Sequence, residues 1–147
     1  KDGHDLNFEG ITLATPNRKE AFAIAGLPEP GARENPLSDK ALQRVGQILL
    51  EKWECQNLAI TLGPQGMYLV SPGRKPRHAP TRAREVFDVI GAGDTAIATS
   101  VTALASGATF AESAELANIA AGVVVGKLGT ATCTPQELLN HMRNPKS

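Results

Sequence analysis

Apolar positions recur with a helical period between Ser38 and Trp53, where Leu42, Val45, Leu49 and Leu50 fall along one side. Ser38 is the expected N-cap of that helix. Upstream, Ile11–Thr15 is a short run rich in β-branched residues that stops at Pro16, which predicts a strand. Asn17 then caps a helix over Arg18–Ala25, with Gly26 as its stop. Leu27–Leu37 carries three prolines and a glycine and reads as a loop. Leu58–Leu62 is an apolar strand, Gly63–Gly66 a turn and Met67–Val70 a returning strand, so a β-hairpin is predicted. Ser71–Pro80 reads as a basic, proline-rich connection.

The second half of the pattern is helical. A helix is expected from Gly93 to about Ser106, with Gly107 as terminator. Thr109-Phe-Ala-Glu112 is a capping box that opens an alanine-rich helix. Thr134-Pro-Gln-Glu137 is another, with proline at the first helical position. Strands come first and helices follow, with a glycine turn where they meet. That order predicts a layered α/β domain.

Composition narrows the function classes. A chain of 147 residues suits one compact domain, and 41% hydrophobic with 20% charged residues is ordinary for a globular protein. Lys+Arg and Asp+Glu both number 15, so the net charge of +0 advertises neither a nucleic-acid nor a membrane partner. The apolar run Ile119–Val125 is far too short to span a bilayer. The two cysteines, Cys55 and Cys133, have no disulfide or metal-knuckle spacing, and a reducing cytoplasm is expected. His4, His78 and His141 are scattered, which gives a histidine metal site little support.

The chemistry concentrates in Asp88-Val-Ile-Gly-Ala-Gly-Asp-Thr95. Gly91–Ala96 formally matches the dinucleotide pattern G-x-G-x-x-A. That reading needs a following strand with an acid at its end, whereas two helices follow here. It would also set Asp94 beside a pyrophosphate, and unit charges ~4 Å apart repel by about 4 kcal/mol at an effective dielectric of 20. A phosphoryl-transfer site can use the same carboxylate as a general base. The amides of Gly91, Ala92 and Gly93 would then stabilise the transferring phosphate, with Gly93 expected to adopt unusual dihedrals. The plain alternative is that Asp94 only caps a helix.

Three elements taken together resemble the ribokinase-like (PfkB) carbohydrate kinases. D-x-x-G-A-G-D-T over Asp88–Thr95 is similar to that family's C-terminal signature. Asn17-Arg-Lys-Glu20 is similar to its N-x-x-E motif, and Thr61-Leu-Gly-Pro-Gln-Gly66 to its T-x-G-x-x-G turn. Each alone is weak, the first usually a capped helix and the second a hairpin turn. The order and separation of all three are what carry the resemblance. Gly126-Lys-Leu-Gly129 lacks a Ser or Thr after the lysine, so it reads as a structural loop rather than a Walker A sequence.

"TPNRKEA", "QGMYLVSPG", "REVFDVIGAGDT" and Ala117–Leu138 further resemble the kinase domain of the bifunctional heptose-7-phosphate kinase/heptose-1-phosphate adenylyltransferases. The likeness runs over essentially all of residues 1–147. It implies a ribokinase-like layered sheet with flanking helices, present here as its C-terminal, nucleotide-binding part. Lys1-Asp-Gly3 resembles a point midway through the kinase domain, and the sugar-binding half with its lid would lie upstream. The implied reaction is ATP-dependent phosphorylation of D-glycero-D-manno-heptose 7-phosphate at its anomeric hydroxyl, for lipopolysaccharide precursors. Other sugars or nucleosides are the alternative substrates, and a truncated chain that binds nucleotide without catalysis is the other alternative. Taken alone, these residues are expected to phosphorylate no sugar.

The resemblance also assigns roles. Asp94 is the base, with Gly91, Ala92 and Gly93 as the anion hole. Asn17 and Glu20 serve Mg²⁺, water and phosphate, Glu20 through water. Thr61, Gly63, Gly66 and Asn118 serve the nucleotide. Asp88, Ile90 and the Gly129 loop lie near a monovalent-cation site, such as one for K⁺. Thr99 departs from the family's small residue and is expected to alter packing only. A homodimer is implied for the full-length protein, and the Ala117–Val125 run also fits plain helix packing.

Overall fold

A computed structural model describes residues 9–81 and 88–143. The Lys1–Gly3 stretch and the first residues of "REVFDVIGAGDT" lie outside them. The chain divides into two compact units, residues 1–60 with 68–77, and residues 61–67 with 78–147.

In the first unit α1 (Arg18–Ile24) opens with the expected Asn17 cap, which the structure completes into a box: Asn17 accepts from the Glu20 amide, and Glu20 accepts from the Asn17 amide. It ends at Gly26, with the Leu27 amide bonded back to the Phe22 carbonyl at 3.1 Å. The loop after it holds a short 3₁₀ turn, Pro36–Ser38. Helix α2 spans Lys40–Trp53, and its cap is Asp39, not Ser38. Asp39 Oδ1 accepts from the amides of Ala41 and Leu42, while the Ser38 hydroxyl is turned back to the Asn35 carbonyl. Leu42, Val45 and Leu49 are buried as the period predicts, with Gly46 completing the face, and Leu50 lies at its margin. Phe22, Leu58, Ile60 and Tyr68 join them in the core.

Strands β1 (Leu58–Thr61), β2 (Met67–Val70) and β3 (Arg77–Ala79) make a sheet of order β1-β2-β3. The first two are the predicted hairpin. The third falls inside what reads as a connection, because Arg77-His-Ala79 has no β-branched residue. Pro76 and Pro80 flank it, which an edge strand tolerates. The strand expected over Ile11–Thr15 is reduced to a single parallel bridge, Ala14 with Leu58. The Asn57 side chain takes the Thr12 carbonyl at 3.1 Å and the Gln56 amide the Ile11 carbonyl at 2.9 Å, so backbone contact continues towards Ile11 without a regular ladder.

The second unit is helical after the hairpin turn. Helix α3 (Ala92–Ala105) packs against α4 (Phe110–Val125), and α4 against α5 (Pro135–Arg143). Both predicted capping boxes form, Thr109 with Glu112 and Thr134 with Glu137. Helix α4 is buried over most of its length, including Ala117, Asn118, Ala120, Val123 and Val124. Such small side chains let helix backbones approach closely. The Ala/Gly/Val run is therefore packing surface. No helix among the described residues is long and apolar enough to cross a membrane.

Candidate active site

The glycine turn is built by a left-handed residue. Gly91 has φ +78° and ψ −2° and is the N-cap of α3. A side chain would be strained there, which is why the turn needs glycine. Gly93, by contrast, is an ordinary helical residue with open space where a Cβ would stand. The unusual backbone expected of it belongs to Gly91 instead.

Asp94 occupies the third position of α3 and is exposed. It is not the N-cap, so the plain capping reading fails on position. Its carboxylate takes no hydrogen bond from any described residue. The amides of Gly93 and Asp94 belong to the unpaired first turn of a helix, where partial positive charge gathers. The Ala92 amide is already directed to the Val89 carbonyl at 3.3 Å. Among the described residues, one turn thus offers two open donors and a carboxylate side by side.

What holds this turn is local and specific. Asp88 Oδ1 accepts from the Ile90 amide at 2.9 Å, and the Asp88 amide donates to the Val125 carbonyl at 3.2 Å. A Cβ on Gly91 would sit 3.7 Å from Thr130 Cγ2. Asp88, the glycine turn and the loop after α4 therefore lie together. Lys127 secures that loop: its Nζ donates to the Thr132 carbonyl at 2.7 Å and pairs with Glu137 Oε1 at 2.6 Å. The Lys127 ammonium, then the Thr134 amide and hydroxyl, hold the Glu137 carboxyl down at about 2. This lysine is a structural tie, as the missing Ser or Thr after it suggests.

The hairpin turn forms a second cluster in the same unit. Gly66 has φ +88°, and a Cβ there would lie 2.1 Å from the Ala79 carbonyl oxygen and 2.5 Å from the Thr81 amide. The close approach that Gly66 allows is thus first of all to the chain's own backbone. Asn118, only 6% exposed, reaches the same segment: its Nδ2 donates to the carbonyls of Ala79 and Pro80. His78 Nε2 lies 2.6 Å from the Gln65 carbonyl and adds a further tie. Gly63 faces open space, and Thr61 is half-buried at the end of β1. The ties made by Asn118 and Gly66 escaped the sequence reading because their partners are backbone atoms.

Asn17 and Glu20 belong to the first unit, whereas the other site residues belong to the second. Both are exposed; in the capping box Asn17 Oδ1 accepts from the Glu20 amide, and of the two Glu20 carboxylate oxygens only Oε2 is used. Glu20 Oε1 takes no hydrogen bond from a described residue. Among those residues no three His, Cys, Asp or Glu side chains gather into a metal cluster. A single carboxylate oxygen with waters is nevertheless the donor set that Mg²⁺ accepts.

Residues 1–137 match the model of the pfkB family carbohydrate kinases. The chain belongs to that family. It is 48% identical over 136 residues to the bifunctional protein HldE of Pectobacterium atrosepticum, covering 92% of this chain and 27% of that one. With the HldE protein of Geobacter sulfurreducens it shares 47% over 135 residues, or 92% and 26% of the two chains. The chain thus spans about a quarter of the length of these relatives.

Among solved structures it is similar to Escherichia coli phosphofructokinase-2 in complex with potassium. The TM-score is 0.79 at 19% identity, over 95% of this chain and 42% of that one. Thermotoga maritima ribokinase gives 0.76 at 24%, over 90% and 42%. These likenesses show the ribokinase-like fold.

Proposed function

We propose that this chain carries the nucleotide-binding and base-bearing part of an ATP-dependent sugar kinase. The observation that carries the reading is Asp94, exposed and unbonded among the described residues, on the same helical turn as the open amides of Gly93 and Asp94. In the proposed step the Asp94 carboxylate takes the proton of the acceptor hydroxyl. The acceptor oxygen bonds to the γ-phosphorus, the bond from that phosphorus to the β–γ bridging oxygen breaks, and ADP leaves. The first-turn amides stabilise charge on the transferring group.

Thr61, Gly63 and Asn118 are proposed to line the nucleotide side. Gly66 and the Asn118 amide are proposed to hold that side in shape. Asn17 and Glu20 would hold a hydrated Mg²⁺, which supplies charge neutralisation at the phosphates when bound. The oxygens of Asp88, Ile90 and the loop at Gly129 would suit a monovalent cation such as K⁺.

The proposed acceptor is D-glycero-D-manno-heptose 7-phosphate at its anomeric hydroxyl, giving the 1,7-bisphosphate. The similarity to the HldE proteins and the heptose-kinase resemblance of the sequence support it. Coupled ADP release from the intact protein, over a panel containing this heptose phosphate, ribose, fructose 6-phosphate and a nucleoside, tests the proposal. Heptose-phosphate-dependent release is expected. Release that is fastest with another acceptor would overturn the substrate, and none with any would overturn the kinase reading.

A further inference from the structure

Arg18 stands between the two motif residues Asn17 and Glu20 in sequence, yet its side chain is engaged elsewhere. Its Nη2 lies 2.9 Å from Asp39 Oδ2 and donates to the Pro30 carbonyl at 3.3 Å. Its Nε lies 3.3 Å from Glu29 Oε1, close enough for an ion pair but off line for a hydrogen bond. The guanidinium also covers the Phe22 ring, 4.9 Å from the centroid. The Arg18 and Asp39 side chains are only 11% and 4% exposed. Asp39 spends its other oxygen on the first amides of α2. One buried ion pair therefore joins the first residue of α1 to the N-cap of α2.

Helix α1 has only seven residues, and a helix that short does not hold its direction unaided. Buried ion pairs are a poor route to stability, because desolvation offsets most of the attraction. What such a pair does fix is geometry. We propose that Arg18 is a positioning residue: through Asp39 it sets the direction in which the Asn17–Glu20 box presents its free oxygen to metal and phosphate. This rests on the Mg²⁺ and phosphate role proposed above for Asn17 and Glu20.

The test uses the intact protein and calorimetric titration with a non-hydrolysable ATP analogue, with and without Mg²⁺. Arg18→Met keeps the stem over Phe22 and removes the charge. Asp39→Asn keeps the helix cap and weakens the pair, so it decides the matter if Arg18→Met does not fold. Each variant is expected to lose roughly tenfold of the Mg²⁺-dependent gain in analogue affinity, with metal-free affinity unchanged. The double variant should be no worse than either single one, since both break one contact. A full Mg²⁺-dependent gain in the variants, whatever their melting temperatures, would make Arg18 a fold clamp only and overturn the inference. If the wild type itself shows no such gain, the reading of Asn17 and Glu20 fails first and takes the inference with it.

Discussion

The side-chain amide of Asn118, in the middle of α4, donates to the backbone carbonyl of Ala79 at 2.8 Å, across 39 positions of sequence. A second bond, to the Pro80 carbonyl at 3.2 Å, fixes the end of β3 beside the Gly66 turn. A residue assigned to the nucleotide by resemblance thus also holds the protein's own backbone.

Asn118→Ala should therefore act on both. Losing the amide removes two part-buried hydrogen bonds and should cost about 1 kcal/mol of stability. Analogue affinity should fall in the same variant, because the hairpin turn loses its support. Thermal melting and nucleotide titration of the intact protein check this. An unchanged melting temperature would remove the structural role.

Gly66 and Gly63 separate backbone need from ligand need. Gly66→Ala puts a methyl group against the Ala79–Thr81 backbone and should cost at least ~2 kcal/mol. Gly63→Ala meets nothing within 4 Å and should cost only about 1 kcal/mol, from its positive φ. Chemical denaturation compares the two. Equal costs would contradict the close approach at Gly66.

Tyr68, the single tyrosine of the chain, is fully buried, and its hydroxyl has no hydrogen-bond partner among the described residues. Burial first, and the Asp39 carboxylate second, push the phenol up from 10.0 to about 12. The folded state thus keeps a proton that the unfolded state releases at lower pH. The stability this represents is fully present below pH 10 and is lost as pH rises towards about 12. Phenolate absorbance of the 147-residue chain should appear near that upper value. An ordinary titration near 10 in the folded chain would show the phenol to be solvated.

Local chemistry was legible in the sequence and long-range chemistry was not. The cap at Asn17 and the capping boxes at Thr109 and Thr134 each need only a partner within three residues, so short-range rules find them. The cap at Asp39 was missed by one residue because Ser38 and Asp39 are both good caps. The choice fell to Asp39, whose second oxygen also meets Arg18, 21 positions away. Strand β3 lacks strand-forming side chains and exists through its place at the sheet edge. At the candidate site, the glycine turn and Asp94 were visible as a motif. The backbone ties of Asn118 and Gly66 leave no mark in residue type or spacing.

The central claim is that Asp94 is a base and not a cap, and Asp94→Asn in the intact protein tests it most directly. Asparagine keeps the size and position of the side chain, and Gly91 remains the N-cap. Turnover should fall by roughly 10²–10⁴ with ATP-analogue affinity nearly intact. Melting should shift little, since an exposed acid in a first helical turn contributes only about 0.3–1 kcal/mol. Single-turnover phosphoryl transfer, measured beside the melting curve, gives both quantities on one sample. Normal transfer with a lowered melting temperature would contradict the account.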